Sequence, residues 1–241
     1  MSDKVAIVTG GAQGIGLGIT RALLDKGHRV AVWDRDAAAL AALPEGVFGQ
    51  EVDVTNGAGV SAAHAAVTAR WEAPSILINN AGIARDKRIV NMKESDWDAV
   101  LNVNLKSQFL CCKAVIPAMV DAGFGRIVNI ASRAWLGGFG QANYSASKGG
   151  VVSLTRTLAI EYARKGITVN AVAPGIVETP LMASYTDEQR ARLEATVPMG
   201  RMGQPDDISK AVAFFADAAN AYVTGQLLYV CGGRSLSSPS V

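Results

Sequence analysis

The sequence predicts an α/β fold built on a doubly wound parallel sheet, and three observations carry the prediction. Short β-rich apolar runs alternate with longer helical patterns from end to end. The runs are almost continuously apolar, as strands covered by helices on both faces are. The first run passes directly into a glycine-rich turn that opens a helix, the arrangement of a βα unit in such a sheet. No proline-rich or polar linker divides the series and no fixed-period repeat is visible, so residues 1–241 are expected to form a single domain.

Strands are expected over residues 4–9, 29–34, 47–52, 76–79, 126–131, 168–173 and 227–230, each short, apolar and buried. Helical patterns fall around 15–26, 57–72, 95–121, 143–165 and 205–217. Residues 178–203 contain no strand, are rich in Met, Thr and Pro, and include one short helical piece over 187–195. So long a connection in a compact domain is expected to serve as a substrate lid. The tail SLSSPSV is expected to fray or to serve an oligomer contact.

Composition narrows the function classes. Apolar residues make up 49% and charged residues 18%, which describes a globular chain without disorder. The net charge of +2 includes no long basic run, so nucleic acid is not an expected partner. The opening MSDKVAIVTG lacks the basic and apolar regions of a signal peptide. No stretch reaches the ~18 apolar residues of a membrane helix, so no membrane partner is expected and the cytoplasm is the expected compartment. Cys111, Cys112 and Cys231 lack metal-ligand spacing and read as reduced packing thiols, with no metal site.

The first turn carries the strongest binding signal. Residues 4–9 run into Gly10, Gly11, Ala12, Gln13, Gly14, Ile15 and Gly16. Gly10 suits a tight turn, Gly14 lets a pyrophosphate approach the backbone, and Gly16 lets helix and strand pack closely. The following helix N-terminus offers free N–H groups and partial positive charge to a phosphate. Asp34 ends the second strand eighteen residues after Gly16, where a carboxylate can accept hydrogen bonds from ribose hydroxyls and repel a 2′-phosphate. NAD is therefore favoured over NADP, although Arg35 beside it could pair with that phosphate. Asp34 also reads as a turn or cap residue. Asp53 and Val54 suit an adenine contact, but Asp53 or Thr55 would equally cap the next helix. Asn80, Ala81 and Gly82 end the fourth strand at the same edge, suited to close cofactor contact or to a turn braced by asparagine amides.

A second signal is the run Tyr144-Ser-Ala-Ser-Lys148, with Ser132 twelve residues upstream. On a helix Tyr144 and Lys148 share one face, a turn apart. An ammonium near a phenol lowers its pKa from about 10, giving a group able to exchange a proton with an alcohol or ketone oxygen.

TGGAQGIG at 9–16, Asp34, NNAG at 79–82, Asn104, Ser132, YSASK at 144–148 and PGIVET at 174–179 fall in order. Together they resemble the short-chain dehydrogenase/reductase family over essentially the whole chain. The resemblance implies one Rossmann-type domain with a seven-stranded parallel sheet and reversible hydride transfer with NAD(H) or NADP(H). It implies Tyr144 as general acid/base, Lys148 as the holder of the nicotinamide ribose, and Ser132 as a hydrogen-bond partner of the substrate oxygen. Asn104 would hold a water leading protons from Lys148 to solvent. Pro174, Gly175, Ile176 and Thr179 resemble positions around the nicotinamide carboxamide, with Thr179 also readable as a helix cap. A homotetramer paired through the helices at 95–121 and 143–165 is expected from the same resemblance.

Two departures stand out. The segment between Ser132 and Tyr144 is one residue shorter than in many relatives, and Cys231 stands where relatives often have aspartate. Residues 81–86 and 140–144 resemble loops of the 3-oxoacyl thioester reductase branch, which usually prefers NADP. Trp135, Leu136, Phe139, Met182, Tyr185 and Met199 suggest an apolar substrate pocket, with Trp135 and Met182 as contacts. The sequence reading is therefore an NAD-dependent secondary alcohol dehydrogenase or ketone reductase for a small or medium apolar carbonyl compound. Reduction of 3-oxoacyl thioesters on a carrier protein or CoA is the alternative, and a non-catalytic nucleotide-binding or scaffold protein is the alternative of a different class.

Overall fold

The structure, a computed structural model, describes residues 3–180, 182 and 185–236. Seven strands form one sheet: β1 (Val5–Thr9), β2 (Arg29–Asp34), β3 (Phe48–Glu51), β4 (Ile76–Asn79), β5 (Gly125–Ile130), β6 (Ile167–Pro174) and β7 (Leu227–Val230). Their order is β3-β2-β1-β4-β5-β6-β7, with every neighbouring pair parallel. Successive side chains of each strand point to opposite faces, and this alternation divides the core in two. Val5, Ile7, Leu77 and Ile127 pack against α3 (Gly57–Arg70) and α5 (Ser107–Ala122). Ala6, Val8, Ile76, Ile78 and Val128 pack on the other side against α1 (Gly14–Asp25) and α8 (Pro205–Ala216). Burying each large apolar side chain stabilises the fold by about 1.5–3 kcal/mol, against about 1 kcal/mol net for a typical hydrogen bond. The two cores therefore hold the sheet, while polar groups fix its register.

Asn79 on β4 donates to Asn129 on β5 at 2.8 Å, and Asn129 donates to Thr155 at 2.9 Å on α6 (Ala142–Tyr162). This buried chain ties the two strands to the helix that bears Tyr144. All three cysteines are free and buried, and burial pushes the Cys112 thiol up to about 12 and Cys111 upward as well. Both remain protonated packing groups. Among the described residues no helix is long and apolar enough to cross a membrane.

Several expected elements take a different form. β3 and β7 are edge strands with partly exposed residues, not fully buried ones, because each has a neighbour on one side only. The short helix α2 (Ala37–Ala41), capped where Asp36 accepts from Ala39 N–H at 3.0 Å, has no counterpart among the expected helices. The single helix expected over 95–121 is two, α4 (Glu94–Leu101) and α5, joined by a π-helical turn at Asn102–Lys106. Such turns recur at functional sites. The lid contains the expected helix, α7 (Asp187–Glu194), capped by Thr186 rather than by Thr179. The ends of the lid are stitched together by Glu178 N–H on the Gly203 carbonyl at 2.8 Å and Gly203 N–H on the Ile176 carbonyl at 2.9 Å. Leu181, Ala183 and Ser184 of the lid lie outside the described residues, as do residues 237–241 of the tail.

Asn129→Ala removes the central amide of the buried chain and leaves Asn79 and Thr155 each one partner short. A loss of about 1–3 kcal/mol is expected, read as a lower urea midpoint with an unchanged slope. A midpoint equal to that of the wild type would show that the chain contributes nothing to stability.

Candidate active site

β1 and β4 are neighbours, but the chain leaves β1 toward β2 on the opposite side. Where the strand order reverses, loops diverge at the carboxyl ends and leave a crevice. A cleft of about 1350 Å³ opens there. Gly10, Gln13, Gly14, Ile15 and Gly16 line one end with Asp34, Asp53 and Val54. Asn80, Ala81, Gly82, Pro174, Gly175, Ile176 and Thr179 line its middle, and Ser132, Tyr144, Lys148 and Met182 its far end.

The glycine turn is built to be tight. A Cβ on Gly16 would lie 1.9 Å from the Gly10 carbonyl, so only glycine fits, and Gly14 takes a left-handed conformation with φ 52°. Asn80 braces the turn from β4, donating to the carbonyls of Thr9 at 3.0 Å and Gly10 at 2.9 Å. The N-terminus of α1 has no side-chain cap and no acidic residue in its first turn. Its first N–H groups and dipole are thus available to a phosphate, and the cradle fits a dinucleotide.

At the outer end, Asp34 accepts from the backbone N–H groups of Ala12 and Asp36, both at 3.2 Å. The glycine turn and the start of α2 therefore orient this carboxylate together. Asp53 is held below the usual carboxylate range by the Thr55 hydroxyl at 2.7 Å and the Thr55 N–H at 2.9 Å. It does not cap α3; Asn56 does, accepting from Ala58 and Gly59. Arg35 lines the same end, exposed, and its charge reaches Asp53.

At the inner end, Lys148 is buried and donates from Nζ to the Ile130 carbonyl at 2.7 Å, with Nζ 5.7 Å from the centre of the Tyr144 ring. Burial lowers the lysine to about 8. The expected lowering of the Tyr144 phenol is not what the protein alone produces. Burial pushes the phenol up, a hydrogen bond with Ser132 pulls it down, and the Asp86 carboxylate pushes it up further. Ser132 also caps the short helical turn Arg133–Leu136, its Oγ accepting from Ala134 N–H at 3.1 Å.

Asn104 does not line the cleft. It is fully buried, accepting from Ile83 N–H at 2.8 Å and donating to the Ile83 carbonyl at 3.0 Å and the Ser147 hydroxyl at 3.1 Å. Its side chain thus braces the wall after β4. It nevertheless lies close to the chemistry: a Cβ on Gly82 would stand 3.4 Å from Asn104 Oδ1 and 3.5 Å from Lys148 Nζ. Trp135 turns away from the cleft, donating to the Tyr229 hydroxyl at 2.7 Å and packing against a small core of Val151, Val152 and Ala171. Met199 also lies outside the cleft, whereas Leu136, Phe139 and Tyr185 line it.

Several contributors escaped the sequence reading. Asn143 anchors the start of α6 by donating to the carbonyls of Arg85 at 3.1 Å and Asp96 at 3.2 Å. Gln141 donates to Asp86 at 2.7 Å, fixing a carboxylate near Tyr144. Asp36, Arg133 and Arg234 also line the cleft. The second acid of the Asp34-Arg35-Asp36 run was a usable signal for Asp36. Nothing in the spacing points to Arg133 or Arg234. Among the described residues, no group of three or more His, Cys, Asp or Glu side chains is arranged to hold a metal ion.

Comparison with known proteins agrees with this geometry. A family model described as enoyl-(acyl carrier protein) reductase matches residues 10–235. The chain is 44% identical to (2S)-[(R)-hydroxy(phenyl)methyl]succinyl-CoA dehydrogenase subunit BbsD of Thauera aromatica, covering 98% of each chain. It is 42% identical to 3-oxoacyl-[acyl-carrier-protein] reductase FabG of Vibrio cholerae, over 97% of this chain and 98% of the relative. A crystal structure of a putative gluconate dehydrogenase from Agrobacterium tumefaciens superposes with a TM-score of 0.92 at 30% identity, covering 98% of this chain and 97% of that one. The chain belongs to the short-chain dehydrogenase/reductase family. It is accordingly a nicotinamide-dependent oxidoreductase acting on hydroxyl and keto groups.

The buried lysine makes stability depend on pH. Its folded pKa of about 8 lies below the ordinary 10.5, so between these values the unfolded chain binds the extra proton. Stability contributed by this site rises as pH climbs from about 8 toward 10.5 and is lost as pH falls back through about 8. Relative to Lys148→Met, the wild type is expected to gain up to about 1.4 kcal/mol per pH unit across that window. A difference between the two proteins that stays constant from pH 7.5 to 10 would contradict the buried-ammonium assignment.

Proposed function

We propose that the protein interconverts 3-hydroxyacyl and 3-oxoacyl thioesters with NAD(H). The observation that carries this reading is the full-length identity of 42–44% to two proteins whose names place an acyl thioester in the reaction, one on CoA and one on a carrier protein. It supersedes the apolar ketone or alcohol as first choice. That second reading keeps some support from Leu136, Phe139, Met182 and Tyr185 at the substrate end of the cleft.

The geometry supports the following roles. A bound nicotinamide would supply or accept the hydride at the carbinol carbon. Tyr144 passes the matching proton at the substrate oxygen, and Ser132 hydrogen-bonds that oxygen as charge develops. Ser132 also draws the phenol's pKa down against burial, so the two groups act at one atom. Lys148 holds the nicotinamide ribose and, fixed by the Ile130 carbonyl, presents its charge beneath the tyrosine. Asn104 is a positioning residue that keeps the Ile83 wall against the site. The glycine turn and α1 hold the pyrophosphate, Asp53 and Val54 contact the adenine, and Ile176 and Thr179 fix the carboxamide.

NAD rather than NADP is the cofactor in this reading. A 2′-phosphate would meet Asp34, Asp36 and Asp53, with Arg35 the one cation lining that end of the cleft among the described residues. Three carboxylates against one exposed guanidinium leave the field negative. We also propose a cytoplasmic homotetramer, supported by the exposed apolar residues Phe109 on α5 and Ile160 on α6 and by Tyr222 and Leu228 near the β7 edge.

NADH oxidation is expected to be fastest with 3-oxoacyl thioesters when they are compared with ketones and diketones of equal chain length. Faster turnover of the simple ketones would restore the second reading. Asp34→Ala, with Arg35 kept, is expected to reduce the NADH:NADPH preference in kcat/KM at least tenfold. An unchanged ratio would remove Asp34 as the selecting residue.

A further inference from the structure

Thr179 and Met182 line the cleft between the glycine turn and the proton-transfer groups, and Glu178 directly precedes Thr179 in the chain. Met182 N–H donates to the Thr179 carbonyl at 2.8 Å, so the two move as one piece of wall. Glu178 lies outside the cleft, and its carboxylate is held from two sides. Gln204, the N-cap of α8, donates from Nε2 to Oε2 at 2.8 Å, and Arg190 on α7 donates from Nη1 to Oε1 at 2.7 Å. The Gln204 amide and the Arg190 guanidinium hold the carboxyl below the usual carboxylate range. The same guanidinium donates from Nη2 to the Met182 carbonyl at 3.0 Å. Arg190 therefore grips the wall on either side of Thr179, at Glu178 and at Met182.

A role in the core does not account for this arginine. α7 buries no residue of its own, and both partners of the Arg190–Glu178 pair are partly exposed. Such a pair adds little to stability. What a guanidinium supplies is geometry: its N–H groups are fixed in one plane and serve two acceptors in set directions, which an ammonium does not do. Direct contact with a ligand does not account for it either, because Arg190 is not among the residues lining the cleft. Resting on the reading above in which Thr179 fixes the carboxamide, we propose that Arg190 is a positioning residue for the nicotinamide half of the cofactor. It acts from outside the cleft, holding Thr179 and Met182 in place through Glu178 and the Met182 carbonyl. The adenosine half is held elsewhere, by the glycine turn with Asp34, Asp53 and Val54, and does not depend on this grip.

The test measures the affinities of NADH and of ADP-ribose by calorimetry, since ADP-ribose carries the same adenosine, pyrophosphate and ribose without the nicotinamide. Arg190→Gln is expected to raise the Kd of NADH about fivefold and to leave that of ADP-ribose within about twofold of wild type. Glu178→Gln, which breaks the same pair from its other side, is expected to give the same split. An NADH affinity unchanged in Arg190→Gln overturns the proposal. So does an equal loss for both ligands, because Arg190 would then act on the shared pyrophosphate through its charge. Thr179→Val is measured alongside and tests the carboxamide reading by itself. If it leaves the NADH to ADP-ribose ratio unchanged, that reading fails, and the ratio in Arg190→Gln still decides whether the arginine positions the nicotinamide end through Met182. Should the wild type bind NADPH instead, the same ratio is taken with NADPH and 2′-phospho-ADP-ribose.

Discussion

A lysine ammonium buried at the carboxyl end of β5 sets the terms for the rest of this molecule. Leaving such a charge without a partner is costly, and the Ile130 carbonyl accepts a hydrogen bond from it at 2.7 Å. That contact requires α6 to lie closely over β5. The close approach is secured by the Asn79–Asn129–Thr155 chain at mid-helix and by Asn143 at its start. Tyr144 is carried on the same helix one turn before the lysine, and Ser132 lies on the loop that leaves β5. Tyr144, Lys148 and Ser132, the groups proposed to handle the proton, thus derive their positions from a single helix–strand packing.

The other half of the site depends on the switch point. Because β1 and β4 diverge in connection, the glycine turn faces the loop after β4 across an open crevice. Asn80 crosses it to hold the turn, and Asn104 holds the next part of the same loop from the π-helical turn. Two asparagines, one at each end of Asn80–Ile83, therefore define the wall between cofactor and proton-transfer groups. Thr179, Pro180, Met182, Tyr185 and Leu193, from the segment expected to serve as a lid, also line the cleft. α7 buries no residue of its own, while Met182, Val197 and Met202 are buried and fasten the lid at either end.

Much of this was legible in the sequence because local chemistry has few alternatives there. Only glycine fits Gly16, and apolar runs such as residues 4–9 suit a covered strand. The edge strands were less legible, since Phe48–Glu51 is defined by its place in the sheet and not by its own pattern. The caps, offered at Asp53, Thr55 and Thr179 only as alternative readings, were open for a related reason. Thr55, Asn56, Thr179 and Thr186 are all chemically competent, and backbone geometry chose Asn56 and Thr186. Apolar loop residues carry no direction, so Trp135 read as a pocket residue although its indole N–H is satisfied by Tyr229.

The central claim is that Tyr144 delivers the proton while a nicotinamide held over Lys148 exchanges the hydride. The most direct measurement follows isotope and rate together, using NADH dideuterated at C4 in single turnovers of wild type and Tyr144→Phe. The account predicts one deuterium at the carbinol carbon of the wild-type product. It also predicts a rate about 10²–10⁴-fold lower for the variant at an NADH affinity changed no more than a few-fold. A variant that binds NADH normally and turns over at the wild-type rate would contradict it, as would a product that carries no deuterium.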